Sequence, residues 1–347
     1  MRSYQNILIV RTDRIGDVIL TTPAIAALRQ AYPNARLTIM VTPATREIVE
    51  DNPHLDEVIV YDQKGAHKGV RGFFKFINYL RQQKFDLAIV YHTKKRFNLI
   101  CFLAGIPNRV GFKNNKFGFL LTHPIKDTRP LGDKHEYEYC LEVLKYLGVD
   151  AQVRDLFFPL HQDSEFWAED FLRQNDLRAR DSQKLIAVHP GASCISKRWL
   201  PERFAELIDK LFWHYDAKII LVGGPETISI SESIKLKLKN PVLDVTGQTT
   251  VSQLASLLKR CHLLISNDSG PVHVAAAVNT PVISIFGRNQ AGLSPTRWRP
   301  LGPKDIVLHR EVGCEVCLAH NCQIDFKCLT AITPDDVMQA VDAIYQL

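Results

Sequence analysis

The sequence predicts an α/β protein made of two doubly wound domains. Short apolar runs rich in β-branched residues alternate with amphipathic stretches along the whole chain. That alternation runs through twice, with a break near residues 150–182. Near-continuous apolar strands separated by helices form parallel sheets covered on both faces. At 347 residues the chain is long enough for two such cores.

In the first half, strands are expected at Ile7–Arg11, Leu37–Val41, Glu57–Tyr61 and Leu87–Tyr91, with a weaker one at Arg109–Phe112. Helical spacing of apolar residues falls near 17–32, 43–51, 72–84 and 94–104, and His135–Leu147 closes the half. The break holds Pro159 and a polar helical stretch, Ser164–Asn175. In the second half, strands are expected at Leu185–His189, Lys218–Gly223, Val242–Val245, Leu263–Ser266 and Val282–Phe286. The helices between them fall near 201–214, 227–238, 250–260 and 271–278. The domains are therefore expected at 1–160 and 165–333, with the last helix, 334–347, packing back on the first domain. Ligands of open α/β sheets lie beyond the carboxyl ends of the strands. Two such sheets facing each other would place an active site between them.

Hydrophobic content of 46% and charged content of 23% are ordinary for a soluble globular protein. No apolar run approaches the roughly 20 residues that span a bilayer. The N-terminal stretch reads as a first strand rather than a signal peptide, so the expected location is the cytoplasm. The charge is uneven. Residues 61–120 hold twelve basic and two acidic side chains, a net +10 against +6 for the chain. Phe73, Phe74, Phe76, Tyr79, Phe97, Phe112, Phe117 and Phe119 interleave with them. This mixture suits a polyanion or an anionic membrane surface, or it is a solvated face over an aromatic core.

Eight cysteines are too few for a disulfide scaffold in a chain this long. Cys101 and Cys140 lie in apolar helical patterns and read as small core residues. Four others form Cys314-x2-Cys317-x4-Cys322-x5-Cys328 around His320. The first pair has zinc spacing and the second does not, so a zinc knot, a disulfide and a plain thiol-rich loop all stay open.

Chemistry gathers where strands end. The richest junction is Ile265-Ser266-Asn267-Asp268-Ser269-Gly270-Pro271-Val272-His273. Asp268 and Ser269 suit a helix N-cap, Gly270 lets the backbone approach a ligand, and Pro271 suits a first turn. Free N–H groups at the positive end of a helix make an anion site. After the strand ending at His189 comes a small-residue turn, Gly191-Ala192-Ser193, then Lys197 and Arg198, able to present backbone donors and a cation to phosphate. Glu226 follows the strand at 218–223, a common place for a carboxylate that takes ribose hydroxyls, and also a favourable first-turn position. The first junction, Arg11-Thr12-Asp13-Arg14-Ile15-Gly16-Asp17, offers carboxylates that either cap the helix or act as a general base. Gly-x-Gly-x-x-Gly and Walker patterns are missing at these junctions, as are Asp-x-Asp and His-Glu-x-x-His from the whole chain. A dinucleotide site, a P-loop and a metal-dependent single-domain sugar transferase are therefore unsupported.

Together these landmarks resemble the bacterial lipopolysaccharide heptosyltransferases over nearly the whole chain. The resemblance rests on Arg14-Ile15-Gly16-Asp17, His189-Pro190-Gly191-Ala192 through Lys197-Arg198-Trp199, Leu221-Val222-Gly223-Gly224, and Asn267 through His273. It implies the glycosyltransferase B fold of two facing Rossmann-like domains. It implies a metal-independent, inverting transfer of heptose from ADP-L-glycero-D-manno-heptose to the lipopolysaccharide inner core, with no cofactor. Asp17 would be the general base and Lys197 would stabilise the departing diphosphate. Glu226 would lie near the ribose, Asp268 on heptose hydroxyls, and Ser269, Gly270 and His273 around the diphosphate, with Ser193 also on the donor side. Arg14, Lys64, Lys68, Arg71, Lys94, Lys95 and Arg96 would meet the acceptor, whose core and lipid A carry phosphates and carboxylates. Peripheral association with the cytoplasmic face of the inner membrane is expected, and nucleic acid is not. The alternatives are a nucleotide-sugar epimerase of the same fold and a non-catalytic nucleotide-sugar-binding protein.

Overall fold

The computed structural model describes residues 3–92, 94–113, 117–177 and 183–346. Lys116, one of the twelve basic residues of the 61–120 stretch, lies outside them. The chain divides into two compact units, Met1–Pro159 and Leu160–Leu347.

The N-terminal unit holds strands β1 (Asn6–Val10), β2 (Arg36–Val41), β3 (Glu57–Val60), β4 (Leu87–Val90), β5 (Asn108–Lys113) and β6 (His123–Lys126). All pair in parallel, in the order β3-β2-β1-β4-β5-β6. Its helices are α1 (Ile15–Ile19), α2 (Thr22–Ala31), α3 (Gly69–Gln82), α4 (Lys95–Leu103) and α5 (Glu136–Lys145). Leu8, Val10, Met40 and Val90 of the sheet pack against Phe76 and Leu80 of α3 and Phe97 and Ile100 of α4.

Two local expectations change here, and one strand was not anticipated. The single helix expected over 17–32 is two helices. A continuous helix would pair the Ile19 carbonyl with the N–H of residue 23, but Pro23 has none. The Thr22 hydroxyl donates to that carbonyl instead, at 2.7 Å, and the Thr21 hydroxyl donates to the Asp17 carbonyl at 2.8 Å. The helix expected over 43–51 is a 3-10 turn, Pro43–Ile48, in which the Thr45 hydroxyl takes the Thr42 N–H at 3.3 Å. Strand β6, His-Pro-Ile-Lys, carries no apolar run. It is an edge strand, where a proline and polar side chains are tolerated.

The C-terminal unit holds β7 (Leu185–His189), β8 (Lys218–Leu221), β9 (Leu243–Asp244), β10 (Leu263–Asn267), β11 (Val282–Ile285) and β12 (Ile306–Leu308). These too are parallel, in the order β12-β11-β10-β7-β8-β9. The helices are α6 (Gln162–Gln174), α7 (Pro201–Tyr215), α8 (Ile228–Lys235), α9 (Val251–Leu258), α10 (Gly270–Ala277), α11 (Pro295–Trp298), α12 (Lys327–Thr330) and α13 (Pro334–Gln346).

The last helix corrects an expectation. It belongs to the second unit. Val337, Val341 and Ile344 of α13 are buried in the second core with Leu207, Ile208 and Leu211 of α7 and Ile283 and Ile285 of β11. Its apolar stripe is thus spent locally, and burying each such side chain stabilises by about 1.5–3 kcal/mol. Polar contacts fix the register: Lys210 meets Asp335 at 2.8 Å, and Tyr215 hydrogen-bonds Asp342. Just before it, the indole of Trp199 donates to the Ile332 carbonyl at 3.0 Å.

In each sheet the chain reverses its direction of growth once. The switch falls between β1 and β4 in the first unit and between β7 and β10 in the second. In folds of this kind the connections part at such a switch and leave a crevice at the carboxyl edge, where ligands bind.

Candidate functional site

At the β1/β4 switch a buried arginine collects carboxylates. Arg11, at the end of β1, is 1% exposed. Its Nη2 reaches Asp17 Oδ1 at 3.0 Å and Glu136 Oε1 at 2.7 Å, and its Nε donates to the Asp17 carbonyl at 3.1 Å. Asp13 Oδ2 is 3.8 Å from Nη1. Across the switch, His92 follows β4. Its Nδ1 lies 2.5 Å from Asp13 Oδ1 and 2.7 Å from the Thr12 hydroxyl. Glu136 arrives from the first turn of α5, where a capping box of His135 and Glu138 fixes the helix start.

One arginine is therefore shared by three acids, and the acids part company. Burial pushes the Asp13 carboxyl up, but Arg11 and His92 outweigh it and hold it below the ordinary aspartate value. Burial raises Asp17, Arg11 opposes, and Asp13 and Glu136 add to the rise, leaving Asp17 above its ordinary value. The Asp17 side chain keeps 18% exposure, so the more basic carboxylate is also reachable from solvent. Asp17 also faces the Arg14 N–H, but at 3.4 Å. The capping contact is thus the weaker one, with the stronger bond going to Arg11.

The expected acceptor residues lie in this unit. Lys64 and Lys68 precede α3, Arg71 is in its first turn, and Lys94 and Lys95 open α4; all five are exposed, as is Arg14. Arg96 is committed: its Nε donates to the Tyr61 hydroxyl at 2.5 Å and its guanidinium stacks on Tyr61 and Phe73.

At the β7/β10 switch the charge logic is reversed. Lys197, in the 3-10 turn after β7, places Nζ 2.9 Å from Asp268 Oδ2 beyond β10. Arg288, beyond β11, meets the same oxygen at 3.0 Å. One nearly buried carboxylate is shared by two cations. Ser269 is the N-cap of α10, but its hydroxyl turns inward to Ser266 at 3.1 Å and His189 Nδ1 at 3.0 Å. Gly270 and Pro271 begin α10, and His273 is buried in its first turn. Burial alone pushes the His189 pKa down to about 4, so this ring is neutral. Ser193 is exposed in the turn after β7, and Glu226 is exposed in the turn Pro225–Thr227 after β8. Those two turns press together: a Cβ on Gly191 would sit 2.3 Å from the Thr227 hydroxyl, and Gly223 holds φ +152° against the same threonine.

Of the residues that meet at these two switches, the sequence singled out Asp17, Lys197 and Asp268 and passed over Arg11, Glu136, His92 and Arg288. Arg11, His92 and Arg288 each lie just past the end of a central strand, which was the available signal. Glu136 had none, since it comes from a helix start distant in sequence. Among the described residues no group of three histidine, cysteine or acidic side chains has metal-binding geometry, the cysteine segment included. All eight cysteines are free thiols.

Residues 73–327 match Glycosyltransferase family 9 (heptosyltransferase). Lipopolysaccharide heptosyltransferase 3 of Escherichia coli is 28% identical over 339 residues, spanning 95% of this chain and 96% of that protein. A glycosyl transferase family 9 structure from Veillonella parvula superposes with a TM-score of 0.90 at 26% identity, covering 100% of this chain and 99% of that one. E. coli ADP-heptose LPS heptosyltransferase II superposes at 0.80 with 22% identity, covering 98% of each chain. The shared fold is that of the two-unit sugar transferases, the glycosyltransferase B fold. Within that class, the chain belongs to glycosyltransferase family 9, the heptosyltransferases.

Proposed function

We propose that this chain transfers heptose from ADP-L-glycero-D-manno-heptose to the inner core of lipopolysaccharide, inverting the anomeric centre without a metal. The observation that carries the reading is the opposite charge at the two switch points. A reachable carboxylate raised above its ordinary pKa stands at one. A lysine on Asp268 at the start of α10 stands at the other. The family and the ADP-heptose enzyme of E. coli among its neighbours support the donor. The same family membership favours transfer over the epimerase and silent-binder alternatives.

In this reading Asp17 takes the proton of the acceptor hydroxyl as its oxygen bonds to the anomeric carbon. The bond from that carbon to the donor phosphate breaks, and ADP leaves with the electron pair. Attack opposite the leaving group inverts the centre. Lys197 and the N–H groups opening α10 stabilise the departing diphosphate. Asp268 takes sugar hydroxyls, Glu226 the ribose, and Ser193, Ser269, Gly270 and His273 complete the donor side.

The acceptor and membrane parts rest on the surface around α3 and α4. Lys64, Lys68, Arg71, Lys94 and Lys95 are exposed, and Val70 and Phe74 of α3 are 73% and 56% exposed beside them. Basic and apolar groups on one face suit phosphorylated lipid at a membrane surface. No helix among the described residues is long and apolar enough to cross a membrane. The test is turnover of ADP-heptose with and without a heptose-deficient lipopolysaccharide acceptor. Acceptor-dependent release of ADP, unchanged by EDTA, is expected. ADP release that ignores the acceptor would overturn the reading.

A further inference from the structure

Arg288 is 5% exposed and lies one strand over from Asp268 at the carboxyl edge of the sheet. Its Nη2 and the Lys197 ammonium share a single carboxylate oxygen, at 3.0 and 2.9 Å. Its Nε is buried and meets no hydrogen-bond acceptor among the described residues. The trio thus carries two positive charges on one negative in a place nearly closed to water. A buried cation with an idle donor is unfavourable unless an anion completes it. A guanidinium is also the group whose planar fork matches two phosphate oxygens at once.

The backbone on both sides of Arg288 is held by the cysteine-rich segment. The Cys328 thiol donates to the Gly287 carbonyl at 2.7 Å, and the Asn289 N–H donates to Cys317 Sγ at 3.4 Å. Gly287 has no space for a side chain, since a Cβ would lie 2.6 Å from Leu329 and 2.7 Å from the Ser196 carbonyl. The same segment reaches the turn of Lys197, where the Ser196 hydroxyl is 3.1 Å from His320 Nδ1. One thiol-rich stretch therefore braces the loops of both cations that grip Asp268.

We propose that Arg288 is a second cation for the donor's diphosphate, paired with Lys197 across Asp268, and that Cys317 and Cys328 position it. This rests on the donor-site reading of the C-terminal unit. The ligand class is a nucleoside diphosphate: the free edge of the guanidinium takes phosphate oxygens that Lys197 alone leaves unpaired. When the sugar–phosphate bond breaks and its electron pair stays on the diphosphate, both cations face the added charge.

The test is calorimetric titration of the wild type, Arg288→Gln and Arg288→Lys with ADP, AMP and adenosine. Loss of a charged, two-pronged contact predicts ADP binding at least about tenfold weaker in Arg288→Gln, with AMP affected less and adenosine unchanged. Arg288→Lys keeps the charge without the fork and weakens ADP about threefold or more. ADP bound equally well by Arg288→Gln would overturn the proposal and leave Arg288 as a structural partner of Asp268. If Arg288→Gln does not fold, Arg288→Lys decides alone, with equal affinity counting against. A wild type that binds no ADP would instead overturn the donor-site reading itself. For the brace, Cys328→Ala is expected to raise the donor KM about threefold and to lower kcat as well, and Cys328→Ser, whose hydroxyl donates the same bond, restores both. An unchanged KM in Cys328→Ala would remove the positioning role.

Discussion

The two switch points occupy the same topological place and are wired in opposite senses. At β1/β4 one arginine divides itself among Asp13, Asp17 and Glu136, so the acids are under-compensated and Asp17 titrates high. At β7/β10 one aspartate divides itself between Lys197 and Arg288, so the cations are under-compensated. A surplus of carboxylate is what a proton acceptor needs, and a surplus of cation is what a leaving diphosphate needs. The difference teaches that the fold supplies only the crevice. Which partner is in short supply decides the chemistry there.

Removing the carboxylate at the first switch should have the largest effect. Asp17→Asn is expected to lower the transfer rate by about 10²–10⁴-fold, while calorimetry finds ADP binding little changed. Full turnover in that variant would end the proton-acceptor role. Removing the cation at the second switch comes next. Lys197→Ala should slow single-turnover transfer by about 10²–10³-fold with little change in thermal midpoint. A normal rate would mean that Lys197 only neutralises Asp268.

A third change sharpens the comparison by altering one share of Arg11. Glu136→Gln removes a negative charge that faces Asp17 and leaves more of the guanidinium to it. Asp13, His92 and the more distant Arg129 and Cys140 stay in place. The Asp17 pKa should fall, moving the acid limb of kcat/KM to lower pH. An unmoved limb would show that Glu136 does not set the basicity of Asp17.

The second unit carries its own acid sensitivity. His189 is fully buried with a folded pKa of about 4, below its ordinary 6.5. Between those values the unfolded chain binds the extra proton, so stability falls as pH drops from 6.5 towards 4. The integrated loss is on the order of 3 kcal/mol. Denaturant titrations at pH 7 and pH 4.5 should show this loss in the wild type and much less of it in His189→Asn. Equal losses would place the sensitivity elsewhere. The smallest effect is expected on the N-terminal surface: Lys64→Glu with Lys68→Glu should raise the acceptor KM a few-fold, less at high salt, and leave the donor KM alone. An unaltered acceptor KM would detach those lysines from the acceptor.

The central strands were legible because each is a continuous apolar run; Lys197 and Asp268 drew notice because they follow such runs, and Asp17 was singled out as a base only by the family resemblance. Legibility failed where a local signal was overruled. The apolar spacing over 17–32 hides the missing N–H of Pro23. The His123–Lys126 strand has no period because an edge strand packs on few neighbours. The stripe of α13 is plain in sequence, but nothing in it says which core it enters. Arg11 and Glu136, 125 residues apart, meet only through the fold. Shared partners of this kind, the feature that separates the two switch points, cannot be read from spacing.

The central claim is most directly tested by the pH dependence of kcat/KM in the wild type and in Asp17→Asn. If Asp17 accepts the acceptor's proton, the wild type should rise through an acid limb above the ordinary aspartate range and then level off. The residual rate of Asp17→Asn should have no plateau and should climb in proportion to hydroxide. The same acid limb and plateau in Asp17→Asn would contradict the account.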